Sequence, residues 1–190
     1  MNTTAKMIVV LTVIATLSGG ILSMWNGVTE PRIEAHRLQM LKNAITTVLP
    51  TYDYYDEVVL REDLTLFVGR KNGVDAPVGL AFKAKGNGFS PDLTLMVGIL
   101  PDFSSLTGIE VLEQTETPGL GNKIEDEWFK DQFKQIIIGK TPNIGVIKNR
   151  KPDDPNRGIQ AISGATISSK AVVEILLTQI ETVRNLYQDK

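Results

Sequence analysis

The sequence predicts an α+β protein in which one N-terminal transmembrane helix precedes a single domain with a mainly antiparallel sheet and packed helices. Three observations favour this fold: an uncharged apolar run near the N-terminus, several short apolar stretches between turn residues, and a long amphipathic segment near the C-terminus. We predict an N-terminal tail over residues 1–6, a transmembrane anchor over 7–27 and one domain over 28–190, in which 28–50 form a connecting helix. About 160 residues beyond the anchor suffice for one ordinary domain.

Composition excludes several classes of function. The 190-residue chain has a formal net charge of −2 and no long basic run, so we do not expect nucleic acid as a partner. The absence of cysteine excludes disulfides, thiolate nucleophiles and cysteine-ligated metals. The one histidine, His36, follows the apolar run closely, and we interpret it as a surface residue. We predict neither a metal site nor catalytic residues.

The apolar run Met7–Trp25 contains no charged residue and predicts a membrane anchor. Its 19 residues would span roughly 28 Å as a helix, about one hydrocarbon thickness. A cleaved signal peptide is an alternative, but its apolar segment usually has only about 7–15 residues. A buried core helix is another, although this run lacks the polar face of an amphipathic helix. Lys6 on one side and Arg32 and Arg37 on the other do not decide the orientation.

The apolar runs that follow predict secondary structure in chain order. Residues 31–49 carry apolar side chains at helical spacing, and Pro50 ends this predicted helix. Four short runs between turn residues favour antiparallel strands. These runs are Leu64–Val68, Val78–Phe82, Leu93–Val97 and Leu106–Leu112. Aromatic residues at helical spacing then predict a helix over Glu125–Gln135.

The run Ser163–Thr166 (SGAT) lies on a predicted strand-to-helix turn. The apolar segment Gly158–Ile162 before it predicts a buried strand, and Ile167–Tyr187 after it predicts a helix with an apolar stripe. The first turn of a helix presents unpaired backbone N–H groups and a partial positive charge, which suit a phosphate. Because Ser and Thr are common helix caps, an ordinary capped turn is the alternative.

A second unusual stretch is Glu116–Gly121 (ETPGLG). Pro118 followed by Gly119 predicts a tight turn of type II, with the glycine at positive φ. Gly121 would let a flat partner approach the backbone closely. By itself the stretch is also consistent with an ordinary connection between a strand and a helix. The chain has neither a G-x-G-x-x-G fingerprint nor a P-loop.

Taken together, ETPGLG and an SGAT run about forty residues later resemble the FMN-binding domain family. Its members include the G subunit of Rnf electron-transport complexes and the C subunit of sodium-translocating NADH:quinone reductases. The resemblance extends to the N-terminal anchor, a strand ending in Met96–Gly98 and the closing helix, and thus to essentially the whole chain. It identifies the predicted domain over 28–190 as an FMN-binding domain.

The resemblance also implies a set of cofactor-binding residues. In the family the last Thr of the SGAT-like motif carries FMN through a phosphoester, and the matching residue here is Thr166. The other residues we expect at the cofactor are Ser163, Gly164, Ala165 and Ser168 at the helix start, and Glu116, Thr117, Gly119, Leu120 and Gly121 in the turn. Two positions depart from the family pattern. Gln160 stands where an Asp is usual, and Gly86–Ser90 replaces a Gly-Tyr-Gly-Gly-like loop, with Phe89 as a candidate aromatic contact.

The function that the resemblance implies is that of an electron-carrier subunit of a membrane ion-translocating ferredoxin:NAD oxidoreductase (Rnf) complex, without independent catalytic activity. Its implied partners are other membrane subunits and a flavin transferase that attaches the FMN covalently. The implied location is the inner or plasma membrane, with one transmembrane pass and the domain on the extracytoplasmic side.

Two alternatives remain open from the residues. Gln160 keeps open a membrane-anchored accessory or sensory FMN-binding domain without a redox-carrier role. A hydrolase using Ser163 or Thr166 would need an adjacent base, and the one histidine lies beside the anchor.

Overall fold

The structure is a computed structural model that describes residues 2–134, 136–139 and 143–188. The chain divides into two compact units, one ending at Met40 and the other beginning at Leu41. Helix α1, Thr3–Val48, covers both the predicted anchor and the predicted connecting helix, with Pro31 inside it. Proline lacks the N–H group of one helical hydrogen bond, yet here it does not end the helix.

The N-terminal part of α1 is long and apolar enough to span a membrane. Its mean hydropathy reaches 2.2 over an 18-residue window, and none of that window is buried against the protein. Every residue from 7 to 28 is exposed. A buried core helix is therefore not what this segment forms, whereas a membrane span and a signal sequence both fit its length and composition.

The domain contains a five-stranded antiparallel sheet in the order β1-β2-β3-β4-β5. The strands are β1 Tyr54–Arg61, β2 Leu64–Lys71, β3 Val74–Gly86, β4 Leu93–Ile99 and β5 Leu106–Glu113. Strands β2 to β5 contain the four predicted strands and extend them. Strand β1 was not predicted, because it is an edge strand without a fully buried residue and so lacks an apolar pattern.

A second part of the domain leads to the closing helix. Strands β6, Gly145–Ile147, and β7, Gly158–Gln160, form a parallel pair, and helix α3 spans Thr166–Gln188. Between β5 and β6 the chain forms helix α2, Glu127–Lys130, flanked by 3-10 turns over Gly121–Glu125 and Asp131–Phe133.

The predicted continuous helix over Glu125–Gln135 is therefore wrong, and Gln135 itself lies outside the described residues. Short helical turns replace it and bring Phe129 and Phe133 together. Both rings are fully buried, with their centroids 5.4 Å apart.

Alternating residues of the sheet pack into two different apolar clusters, as the two-residue period of a strand requires. Leu66, Phe82 and Leu95 belong to the main core with α3, where Leu176 and Ile180 are fully buried. The intervening residues of the same strands point to the other face. There Phe67, Ala81 and Met96 pack with Ala44, Ile45 and Val48 from the end of α1.

Helix α3 lies very close to the end of β3. A Cβ atom placed on Gly86 would come within 2.5 Å of Ile175 Cγ1, so a larger residue there would force the Ile175 side chain to move. The burial of α3 and this close approach hold the helix against the sheet, which fixes the position of its first residue, Thr166.

Candidate functional site

A pocket of about 280 Å³ lies where the two sequence motifs meet. This volume is close to the lower end of the roughly 300–1,000 Å³ that ligand pockets usually have. Its lining residues are Phe89, Glu116, Thr117, Leu120, Gly121, Gly164, Ala165, Thr166, Ile167 and Ser168. The lining thus includes every predicted cofactor-binding residue except Ser163 and Gly119, and it adds Phe89 and Ile167.

The first turn of α3 opens into this pocket without a cap. Among the described residues, the backbone N–H groups of Thr166, Ile167 and Ser168 have no hydrogen-bond acceptor. Ala165 occupies the capping position and has no side-chain oxygen to offer. An ordinary capped turn would place a side-chain oxygen on one of these N–H groups, and the structure differs from that alternative. The helix start therefore keeps both its donors and its partial positive charge for an anion.

The hydroxyl groups of the following turn serve other purposes. Ser169 Oγ donates to the carbonyl of Ala165 at 3.0 Å and accepts the N–H of Ile162, also at 3.0 Å. This side chain therefore ties the helix to the segment that enters it. Thr166 is half-buried, and within the described part of the chain its hydroxyl has no hydrogen-bond partner.

The segment before Thr166 is held by backbone and side-chain hydrogen bonds. The Gln132 side chain accepts the N–H of Gln160 at 2.7 Å and donates to its carbonyl at 3.3 Å. Gly164 has a φ of 81°, and the N–H of Ala165 donates to the carbonyl of Ile162 at 3.0 Å. A tight turn therefore connects β7 with α3, and its left-handed residue favours glycine.

The ETPGLG motif forms the predicted turn. The N–H of Leu120 donates to the carbonyl of Thr117 at 3.1 Å, and Gly119 has a φ of 77°. With Pro118 before the glycine, this is the type II geometry expected from the sequence. The turn meets the other motif directly, because a Cβ atom on Gly164 would lie 3.0 Å from Leu120 Cδ2.

Glu116 is the buried charged residue of the pocket, with 5% of its surface exposed. Its Oε2 accepts the hydroxyl of Ser168 at 2.7 Å, and its Oε1 accepts the N–H of Ser90 at 3.1 Å. The sequence predicted Glu116 as a flank of the cofactor but not this pairing. No local signal could reveal it, because the partners are 26 and 52 residues away along the chain.

Exposed apolar side chains border the pocket. Phe89, Leu120 and Ile167 are 65%, 46% and 59% exposed, respectively. Apolar surface of this kind, next to polar groups, is typical of ligand-binding grooves. Phe89 was a candidate aromatic contact, whereas Ile167 was missed. Its position off the apolar stripe of α3 is the signal that could have revealed it.

The chemistry of the pocket residues suits the phosphate and the ring of FMN. Three N–H donors at the start of α3 suit a phosphate. The apolar border suits a flat aromatic ring, and Gly164 leaves the helix start without a side chain in front of it. Within residues 2–134, 136–139 and 143–188, no cluster of three or more His, Asp or Glu side chains is arranged to hold a metal ion.

Comparisons with known proteins agree with this fit. The FMN-binding domain family matches residues 88–181, a span that contains both motifs. The chain is 30% identical to the G subunit of the ion-translocating oxidoreductase complex of Methanosarcina acetivorans, over 94% of this chain and 93% of that protein. It is 31% identical to the G subunit of the Na(+)-translocating ferredoxin:NAD(+) oxidoreductase complex of Acetobacterium woodii, over 95% and 92% of the two chains.

The fold also matches a solved structure. The crystal structure of the C subunit of the Na(+)-translocating NADH-quinone reductase from Parabacteroides distasonis superimposes with a TM-score of 0.56 at 28% identity. The match covers 65% of this chain and 62% of that one. The predicted α+β fold with a mainly antiparallel sheet is therefore confirmed.

These matches show that the chain belongs to the FMN-binding domain family, as the two motifs predicted. Within that family it is similar, over nearly its whole length, to the G subunits of ion-translocating oxidoreductase complexes.

Proposed function

We propose that this protein is an electron-carrier subunit of a membrane-bound ion-translocating ferredoxin:NAD oxidoreductase complex of the Rnf type, and that FMN is attached to Thr166 through a phosphoester. One observation carries the proposal. The Thr166 hydroxyl has no partner among the described residues and lies beside three N–H groups of α3 that have no acceptor. A phosphate at this point would receive those donors and the favourable helix dipole.

The chemistry divides between the cofactor and the protein. Bound FMN supplies electron transfer at its ring system, while the protein supplies binding, orientation and the electrostatic surroundings. The N–H groups of Thr166, Ile167 and Ser168 would hold the phosphate. Phe89 and Leu120 would exclude water from an apolar part of the ligand. These roles require no acid–base pair of the protein. Glu116 is the ionisable side chain in the described lining of the pocket.

The same feature supports a separate flavin transferase as a maturation partner. A threonine hydroxyl is a weak nucleophile and needs an adjacent base. Both carboxylate oxygens of Glu116 already accept hydrogen bonds, from Ser90 and Ser168. Attachment joins Thr166 Oγ1 to the phosphorus of the FMN unit of FAD, while the bond between the two phosphates of FAD breaks, AMP leaves and the hydroxyl proton is released. The chain thereby gains the mass of FMN less one water, and we assign the activation of the hydroxyl to the transferase.

We further propose that α1 anchors the protein in the inner or plasma membrane by a single pass and that the domain is extracytoplasmic. The length and hydropathy of α1 support the anchor, and the family resemblance supports the side. C-terminal fusions to alkaline phosphatase and to green fluorescent protein test the side. An active phosphatase with a dark fluorescent fusion is the expected result, and the opposite pair would place the domain in the cytoplasm.

Covalent flavin on the denatured protein tests the attachment. The full chain is produced with a flavin transferase, denatured and separated on a gel, and its flavin fluorescence is compared with that of Thr166→Val and Thr178→Val. Thr178 is an exposed threonine of the same helix, about 18 Å further along α3 at 1.5 Å per residue, and is the matched control. We expect fluorescence in the wild type and in Thr178→Val and none in Thr166→Val.

Two further measurements separate the alternatives: the flavin content of the protein from its native host, and a hydrolase assay. A wild-type protein from its native host without covalent flavin would contradict the attachment and favour an accessory or sensory domain. Hydrolase activity that disappears in Ser163→Ala would favour the hydrolase instead.

A further inference from the structure

The Glu116 carboxylate joins three segments that are far apart in the sequence. It belongs to the ETPGLG turn and reaches the loop after β3 through the N–H of Ser90 and the first turn of α3 through the hydroxyl of Ser168. Each of these segments contributes to the pocket lining, the loop through Phe89 and the helix through Thr166. The three walls of the pocket therefore meet at one side chain.

Two glycines make room for this carboxylate. A Cβ atom on Gly88 would overlap Glu116 Oε1, and its next neighbour beyond the carboxyl group is the Ser90 carbonyl at 3.4 Å. A Cβ atom on Gly121 would overlap Glu116 Oε2 and lie 2.8 Å from Ser168 Oγ. The carboxylate thus lies against the backbone at Gly88 and Gly121 and accepts hydrogen bonds from Ser90 and Ser168.

From this geometry we propose that Glu116 is the positioning residue that assembles the flavin pocket. Through Ser168 it sets the first turn of α3, and through Ser90 it sets the loop that carries Phe89. The inference rests on the proposed function, because it states how the pocket for that FMN is formed. A carboxylate suits this role because it accepts two donors at once, and hydrogen bonds to a charged acceptor are stronger than neutral ones.

The conservative variant separates positioning from charge. In Glu116→Gln the amide oxygen can accept the Ser90 N–H, and the amide nitrogen can donate to Ser168 Oγ, which then acts as acceptor. This variant keeps both links and loses the negative charge. Glu116→Ala loses both links.

Thr115 provides the matched control. Its hydroxyl donates to the carbonyl of Pro91 at 2.6 Å and so joins the ETPGLG segment to the loop after β3 outside the pocket. Thr115→Val removes a link between the same segments without touching the pocket lining.

The experiment measures covalent flavin incorporation into the full chain at a fixed time of exposure to a flavin transferase and FAD. We expect at least a roughly tenfold lower rate in Glu116→Ala, because a displaced reacting group is penalised strongly. Thr115→Val should stay within about twofold of the wild type. Glu116→Gln should recover most of the loss. A Glu116→Ala protein that loads like the wild type, or a Glu116→Gln protein that loads as poorly as Glu116→Ala, would overturn the inference.

Hydrogen exchange of the flavin-free protein tests the inference without any flavin incorporation. The amide hydrogen of Ser90 should exchange faster with solvent in Glu116→Ala than in the wild type and should remain protected in Glu116→Gln. Unchanged protection in Glu116→Ala would contradict the proposed link. If the wild type took up no flavin while Ser90 behaved as expected, the proposed function would fail and the positioning role of Glu116 would stand.

A substitution at Gly88 tests the contact between this glycine and the Glu116 carboxylate. Gly88→Ala should lower the thermal stability of the wild-type chain, because its Cβ displaces the carboxylate. The same substitution should cost clearly less in the Glu116→Ala background, where the carboxyl group is gone. Equal losses in the two backgrounds would show that the glycine serves another contact.

Discussion

Two of the close contacts that glycines border in this domain differ in purpose, because one lies away from the pocket and the other lies beside it. The first, here called the docking groove, consists of Gly69, Gly79 and Gly98 on the sheet. A Cβ atom on Gly79 would lie 2.6 Å from Pro50 Cδ, and one on Gly69 would lie 3.1 Å from Leu49 Cδ1. The missing side chains let the chain after α1 pack directly on the strands.

The second contact, here called the carboxylate clamp, consists of Gly88 and Gly121 around Glu116. It uses the same absence of side chains for a different purpose. The docking groove is filled by apolar groups and backbone of the protein itself, whereas the clamp orients a charged group beside an open pocket. A close glycine contact therefore does not by itself indicate a ligand site. The unpaired N–H groups of α3 and the exposed apolar border distinguish the clamp.

The largest effect on flavin incorporation is expected at the clamp. Gly121→Ala places a Cβ atom against Glu116 and 2.8 Å from Ser168 Oγ. Because the first turn of α3 must then shift, incorporation should fall by roughly 10- to 100-fold, while the fold persists. Flavin incorporation and circular dichroism on the same preparation measure both quantities. Normal incorporation in this variant would show that the carboxylate clamp does not control flavin incorporation.

The docking groove should show the opposite response. Gly98→Ala places its Cβ atom against the carbonyl of Val48 and the hydroxyl of Thr107. Backbone cannot rotate away as a side chain can, so the free energy of unfolding should fall by about 1–3 kcal/mol. Incorporation per folded molecule should not change. Denaturant unfolding of the full chain in detergent measures the stability, and a selective loss of flavin would contradict the division into two regions.

A smaller loss is expected when one hydrogen bond of the docking groove is removed. Thr107 Oγ1 donates to the carbonyl of Val48 at the end of α1. Thr107→Val keeps the shape of the side chain and leaves that carbonyl without its donor, which should cost about 1 kcal/mol. The same unfolding experiment detects this change. No loss would show that the apolar packing of Val48 holds the segment without the bond.

The smallest effect on stability is expected at the exposed border of the pocket. Leu120 is 46% exposed, so Leu120→Ala should change the free energy of unfolding by no more than about 0.5 kcal/mol. Its effect should appear in the flavin, because the ring would lose an apolar neighbour. A lower fluorescence anisotropy of the attached flavin is the expected sign. Unchanged anisotropy together with a marked loss of stability would place Leu120 in the core instead.

Those parts of the fold and of the pocket that depend on neighbouring residues in the sequence could be predicted. The type II turn at Gly119 follows from the Pro-Gly pair, and α3 follows from its apolar stripe. Two local signals misled: Pro31 predicted the start of a separate helix, and the aromatic residues near Phe129 predicted one continuous helix. In the first case the helix tolerates one lost hydrogen bond. In the second, extended backbone at Asp126 and Lys134 bounds the short helical turns, and the spacing of the aromatic residues does not reveal these breaks.

Contacts between distant segments could not be predicted. Strand β1 has an irregular pattern and becomes a strand by pairing with β2. The link from Glu116 to Ser90 and Ser168 depends on the fold bringing three segments together. The role of Gly88 depends on the same convergence. Family resemblance indicated which residues matter at the pocket, but only the structure relates Glu116 to its two glycines.

One peptide of the protein tests the proposed attachment of FMN to Thr166 most directly. Cleavage after Arg157 and Lys170 releases residues 158–170, which contain Thr166 together with Ser163, Ser168 and Ser169. Fragment masses of this peptide, taken from the wild-type protein of its native host, locate any modification. A gain equal to FMN less one water on Thr166 is the predicted result. The same gain on one of the serines, or an unmodified peptide, would contradict it.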